Sequence, residues 1–141
     1  MSRIYWDTML FIYWMEGNPD YARRVKELDN SMKRRRDVLC TSTFALGEML
    51  VKPYKLEKMD LVRAMRDYFQ NSEIELLPFN AETAEVYARI RAEYDVSAAD
   101  AIHLATAAQA RVDLFLTNDR RLSQLTIPGI HFIAGLDTNL L

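Results

Sequence analysis

Ile4-Tyr5-Trp6-Asp7-Thr8-Met9-Leu10-Phe11-Ile12-Tyr13-Trp14-Met15 holds a single charge, Asp7. Its first three residues are bulky and β-prone and read as a buried strand. Asp7-Thr8 then caps a short apolar helix that ends near Glu16-Gly17. A carboxylate between two buried elements is costly unless something compensates its charge. The pattern recurs along the chain. Glu48 is the only charge in Val38–Val51, Asp100 the only one in Val96–Ala110, and Asp119 closes the otherwise uncharged Leu114–Asp119. Four such acids, at strand ends or on buried helix faces, suggest a shared compensator. The simplest is a divalent cation, since hard ions such as Mg²⁺ take oxygen ligands.

Working outward, short apolar runs alternate with amphipathic segments. Asn18-Pro19 opens a second helix with Tyr21, Val25, Leu28 and Met32 on one face. Val38–Cys40 is a short strand, and Thr41-Ser42-Thr43 caps a helix that carries Glu48 and stops at Pro53. Leu56–Gln70 is amphipathic, Ile74–Leu77 is a strand, and Asn80 caps a helix aligning Thr83, Tyr87, Ile90 and Tyr94. Ser97 caps an alanine-rich helix to Ala110. Leu114–Leu116 is a strand, Asp119 caps a short helical turn, and Ile130–Ile133 is the last strand. Alternating strands and helices predict one α/β domain, residues 1–141, with a mostly parallel sheet between helical layers. Sites in such sheets form at the carboxyl ends of strands, where Asp7 and Asp119 fall.

Composition narrows the function classes. With 141 residues and a net charge of −2, the chain is long enough for a real core but offers nucleic acid no global attraction. One cysteine, Cys40, excludes an intrachain disulfide and fits a reducing, cytoplasmic setting. Two histidines and that cysteine make a poor structural zinc set. Ile4–Met15 is broken by Asp7 and too short to span a bilayer, so no membrane role is expected. There is no G-x-S-x-G elbow and no glycine-rich phosphate loop.

Each acid also has a plain explanation. Asp7 and Asp119 read equally well as N-caps, and Ser97-Ala-Ala-Asp100 has the form of a capping box. Glu48, among Leu46, Met49, Leu50 and Val51, fits that account least, although a buried pair with a distant arginine would satisfy it. Taken together, clustered carboxylates would repel one another. One or two Mg²⁺ or Mn²⁺ ions would relieve this and supply the Lewis acidity that phosphodiester hydrolysis uses. Lys33-Arg34-Arg35-Arg36 is better read as a solvated helix end than as an RNA site. Arg120-Arg121 are the better phosphate candidates, against a plain surface pair. His103 shares a helix face with Asp100 but reads as a packed, satisfied residue, and His131 likewise.

Ile4-Tyr5-Trp6-Asp7-Thr8, Glu48 on its apolar helix, Ala99-Asp100-Ala101-Ile102-His103-Leu104-Ala105-Thr106-Ala107 and Phe115-Leu116-Thr117-Asn118-Asp119 together resemble the PIN domain. The small single-domain form resembles the VapC toxins of bacterial type II toxin–antitoxin pairs. The resemblance implies a helix–sheet–helix sandwich around a five-stranded parallel sheet. It further implies a Mg²⁺- or Mn²⁺-dependent endoribonuclease that cuts structured RNA such as tRNA or rRNA, leaving a 5′-phosphate and a 3′-hydroxyl. Asp7, Glu48, Asp100 and Asp119 match the family's acids, and Thr117 matches a hydroxyl supporting the metal. Arg120, Arg121 and Asn118 would meet substrate. A homodimer and a cognate antitoxin are the implied partners. One departure stands out: the family's opening motif usually continues with Asn or Ser, and here that position is Met9. The rival reading is therefore a catalytically degenerate PIN domain that binds protein or RNA. A receiver-type domain is disfavoured, because no lysine follows Lys58.

Overall fold

The computed structural model describes residues 1–141. Its strands are β1 (Arg3–Trp6), β2 (Val38–Ser42), β3 (Glu75–Leu77), β4 (Leu114–Leu116) and β5 (Phe132–Ala134). Its helices are α1 (Thr8–Glu16), α2 (Ala22–Arg35), α3 (Thr43–Lys55), α4 (Met59–Asn71), α5 (Ala81–Glu93), α6 (Ala98–Gln109) and α7 (Arg120–Ser123). The five strands form one sheet, β3-β2-β1-β4-β5, and every pairing is parallel.

The central strands show the period-two pattern of a sheet covered on both faces. From β1, Ile4 and Trp6 join Leu10, Phe11, Leu28 and Phe69 in one core, with Leu114 and Leu116 of β4. Tyr5 and Phe115, pointing the other way, join Ile90, Leu104 and Val112 in the second core. The Tyr5 and Phe115 rings stack at 4.9 Å. Helices α1, α2 and α4 cover the first face, while α5 and α6 cover the second. The expected helix–sheet–helix sandwich is therefore present. None of the helices is long and apolar enough to cross a membrane.

Several boundaries differ from the sequence expectation. Asn18-Pro19 does not open α2: the Asn18 side chain accepts from the Asp20 and Tyr21 amides, making a turn, and the helix begins at Ala22. Pro53 does not stop α3, which runs to Lys55. So near the helix end the proline removes one intrahelical bond, and its ring is buried. The next helix starts at Met59 rather than Leu56, since Glu57 takes a positive φ of 55°. The last strand starts at Phe132 rather than Ile130, because the Ile130 amide turns back to the Ile127 carbonyl. In that turn Gly129 has φ 101°, and a Cβ there would lie 2.6 Å from the Ala108 carbonyl oxygen. His131 is exposed and stacked on Phe132 at 4.4 Å, so it is not the packed residue expected.

Candidate active site

The sheet reverses its winding between β1 and β4, the place where open α/β sheets form crevices. Trp6 of β1 pairs with Leu116 of β4, so Asp7 and Thr117 leave neighbouring strands at the same carboxyl end. The Asp7 amide donates to the Leu116 carbonyl at 3.0 Å. Asp7 is the N-cap of α1, its Oδ1 accepting from the Thr8 amide at 2.8 Å. Its Oδ2 accepts from Thr117 Oγ1 at 2.9 Å. Burial pushes the Asp7 carboxyl above its ordinary value; His103 and Thr117 pull it part of the way back, and Asp100 adds repulsion.

Glu48 enters from the second turn of α3. Its Oε1 accepts from Thr8 Oγ1 at 2.7 Å and lies 2.6 Å from His103 Nε2. Burial raises its carboxyl, but the hydrogen bonds from His103 and Thr8 outweigh that and hold it below the ordinary value. The partner that a buried Glu48 needs is thus His103, not a distant arginine.

Asp100 lies in the first turn of α6. The capping box expected there is only half formed: the Asp100 amide donates to Ser97 Oγ at 3.1 Å, while its carboxylate makes no hydrogen bond. Asp119 caps α7, and Arg121 folds back on it, with Nη2–Oδ2 at 3.1 Å and Nε–Oδ1 at 3.3 Å. The Arg121 guanidinium holds the Asp119 carboxyl below its ordinary value.

Asp7, Glu48, Asp100 and Asp119 line one open cleft of about 630 Å³, together with Met9, Tyr13, His103, Asn118 and Arg120. Sequence segments far apart thus meet at one end of the sheet. Thr117 is fully buried beneath the cleft and holds Asp7. Arg120 lines the cleft, whereas Arg121 is spent on Asp119. Asn118 donates its amide to Tyr13 Oη at 3.0 Å. Met9 stands 40 % exposed on the cleft wall. Lys33-Arg34-Arg35-Arg36 ends α2 just before β2, at the opposite end of the sheet, with Lys33 paired to Asp29 and Arg35 to Asp37.

Sequence reasoning underrated His103. Packed it is, at 2 % exposure, but it is also the hydrogen-bond partner of Glu48 and sits 3.9 Å from Asp7 Oδ1. The signal was available: a histidine one helical turn past Asp100, among alanines that bring no polar group of their own.

The donor set suits a hard cation. It is all carboxylate, and the buried Asp7 charge is left partly uncompensated beside Asp100. No three of these side chains stand close enough to enclose an ion by themselves.

Comparison with known proteins agrees with the geometry. Among solved structures, the chain is similar to VapBC2 from Rickettsia felis bound to a DNA fragment from its promoter. The TM-score is 0.72 at 18 % identity, over 94 % of this chain and 98 % of that one. It is similar to the DNA-bound VapBC of Salmonella typhimurium, with a TM-score of 0.67 at 24 % identity over 96 % and 99 % of the two chains. A toxin–antitoxin complex from Klebsiella pneumoniae gives 0.66 at 22 % identity over 90 % and 94 %. None of the curated proteins matches the chain. The family model of the PIN domain matches residues 4–127. By that match and by its fold, the chain belongs to the PIN domain family.

Proposed function

We propose that this protein is a metal-dependent endoribonuclease, the toxin of a toxin–antitoxin pair. The observation that carries the reading is the cleft at the β1–β4 switch point, where Asp7, Glu48, Asp100 and Asp119 share one wall. Family membership supports a nuclease, and the toxin–antitoxin complexes among its structural neighbours support the toxin assignment.

Asp7 and Asp100 would hold Mg²⁺ or Mn²⁺, with Glu48 and Asp119 completing the acidic wall. The ion supplies Lewis acidity, neutralising phosphate charge and making water a better nucleophile. Thr117 and the Thr8 amide fix both oxygens of Asp7 in place. Arg120 at the cleft binds a substrate phosphate, and Asn118, tied to Tyr13, shapes the wall beside it. Water oxygen bonds to phosphorus and the bond to the 3′ oxygen breaks, giving 5′-phosphate and 3′-hydroxyl ends. The substrate class is structured cytoplasmic RNA such as tRNA or rRNA.

A cognate antitoxin and a homodimer belong to this reading. Val51, Tyr54, Leu56, Met59 and Leu61 are exposed along α3 and α4, giving a protein partner apolar area to cover. The rival, a degenerate PIN domain that binds without cutting, is favoured by Met9 on the cleft wall and by the Arg121 pair on Asp119.

One experiment separates the two. The purified chain is incubated with tRNA or rRNA in millimolar Mg²⁺ or Mn²⁺, beside Asp7→Asn. Cleavage by the wild type alone supports the nuclease. No cleavage by either, or equal cleavage by both, removes it.

A further inference from the structure

His103 ties the acidic cleft to the second core. His103 is buried on α6, and both its ring nitrogens are engaged. Tyr5 Oη lies 2.6 Å from Nδ1, and Glu48 Oε1 lies 2.6 Å from Nε2. Two aromatic rings set edge-on, Tyr5 at 5.9 Å and Phe44 at 5.4 Å, fix the plane of the imidazole.

The contacts around the ring converge on one carboxylate oxygen, and Thr8 Oγ1 also lies 3.1 Å from Nε2. Glu48 is an acceptor, so Nε2 carries a hydrogen toward it. On the other side of the ring Nδ1 closes on the Tyr5 hydroxyl. Thr8 Oγ1 donates to the same Oε1. The second oxygen of Glu48, Oε2, has no hydrogen bond and belongs to a side chain that is 33 % exposed in the cleft.

We propose that Tyr5 and His103 form a buried relay that orients Glu48, turning Oε1 inward and leaving Oε2 as the single oxygen offered to a divalent cation. His103 is thus a positioning residue, acting through Glu48 rather than on substrate. The inference rests on the metal-dependent reading above and deepens it. Glu48 is carried by α3, whereas Tyr5 and His103 come from β1 and α6, so the relay also sets how α3 faces the cleft. Groups that hold a ligand's other side commonly govern metal affinity by roughly 10–100-fold.

The test uses the full chain and Mn²⁺ alone, with binding read by calorimetry or electron paramagnetic resonance. His103→Leu is expected to weaken Mn²⁺ binding about as much as Glu48→Gln, roughly 10–100-fold. In a Glu48→Gln background the same change should cost nothing more, because the relay has lost its target. His103→Gln keeps an N–H donor and should recover most of the affinity. Tyr5→Phe covers the case in which His103→Leu does not fold: it should weaken Mn²⁺ severalfold in the wild type and not at all with Glu48→Gln.

A merely structural His103 would lower the melting temperature and leave Mn²⁺ affinity alone, which overturns the proposal. So would losses that add in the double variant. If the wild type binds no Mn²⁺ at millimolar concentration, the nuclease reading itself falls and the relay with it. Wild-type binding and cleavage with an unaffected His103→Leu would remove the relay only.

Discussion

Thr117 Oγ1 and Asp7 Oδ2 stand 2.9 Å apart although 110 positions separate them in the chain. The pair exists because β1 and β4 are neighbours and both end at the same height. Thr117→Val keeps the shape and removes the hydroxyl. RNA cleavage should fall by roughly 10–100-fold, the usual effect of losing a ligand's supporting bond. Stability should fall by about 1–3 kcal/mol, because the Asp119 amide also loses its Thr117 acceptor. Kinetics and denaturant melts of the variant check both; an unchanged rate would show that Asp7 needs no such support.

Asp7 makes an opposite prediction for stability. Its folded-state pKa is raised, so its charge destabilises the fold above that pKa, and the penalty vanishes once pH drops below the ordinary carboxylate value of about 3.9. Asp7→Asn, which retains a capping oxygen, should therefore raise the metal-free melting temperature at pH 7 by a few degrees while ending cleavage. The gain should shrink toward acid pH. Glu48 runs the other way: its lowered pKa contributes stability above the ordinary value and loses it as pH falls through the folded one. Thermal melts of wild type and Asp7→Asn across acid pH read this directly, and a variant that melts lower at pH 7 contradicts it.

Arg120 and Arg121 should behave differently despite being adjacent. Arg120 lines the cleft, so Arg120→Ala should weaken binding of uncleaved RNA and reduce the salt slope by about one. Arg121 covers Asp119 from the solvent side, so Arg121→Ala should tighten Mn²⁺ binding and leave the melting temperature unchanged. RNA binding as a function of salt, with Mn²⁺ titrations, distinguishes the two. Equal effects from both variants would count against this division.

Met9 offers a gain of function. It lies on the cleft wall with 40 % of its surface exposed, so a polar replacement displaces no core contact. Met9→Asn should raise Mn²⁺ affinity and cleavage at limiting metal by supplying a side-chain amide beside the acids. Unchanged affinity would mean that Thr8 and Thr117 already do what the amide would.

Much of this was readable in the chain because the relevant signals are local. A bulky apolar triplet followed by an acid, as at Ile4–Asp7, marks both a buried strand and its carboxyl end. Ser42, Asn80, Ser97 and Asp119 announced their caps through short side chains that bond the next turn. What the sequence hid was tertiary. Pro53 stays helical because its neighbours pack it, and Asn18 makes a turn that its own side chain closes. Which oxygen of Glu48 is spoken for depends on His103, 55 positions away, and no spacing rule reaches that far. The same holds for Arg121, whose partner is two residues off but whose choice of Asp119 over a phosphate is a matter of side-chain direction.

The β1–β4 ladder has a temporal consequence. A ribosome releases the amino-terminal strand early and the strand it needs late, since Tyr5 pairs with Phe115. Domains assemble as synthesis proceeds, but long-range parallel pairing waits for its distant half. A nascent polypeptide ending short of β4 therefore has Asp7 without Thr117 and Asp119, and cannot build the hollow. The acidic cleft therefore cannot form before β4 has left the ribosome.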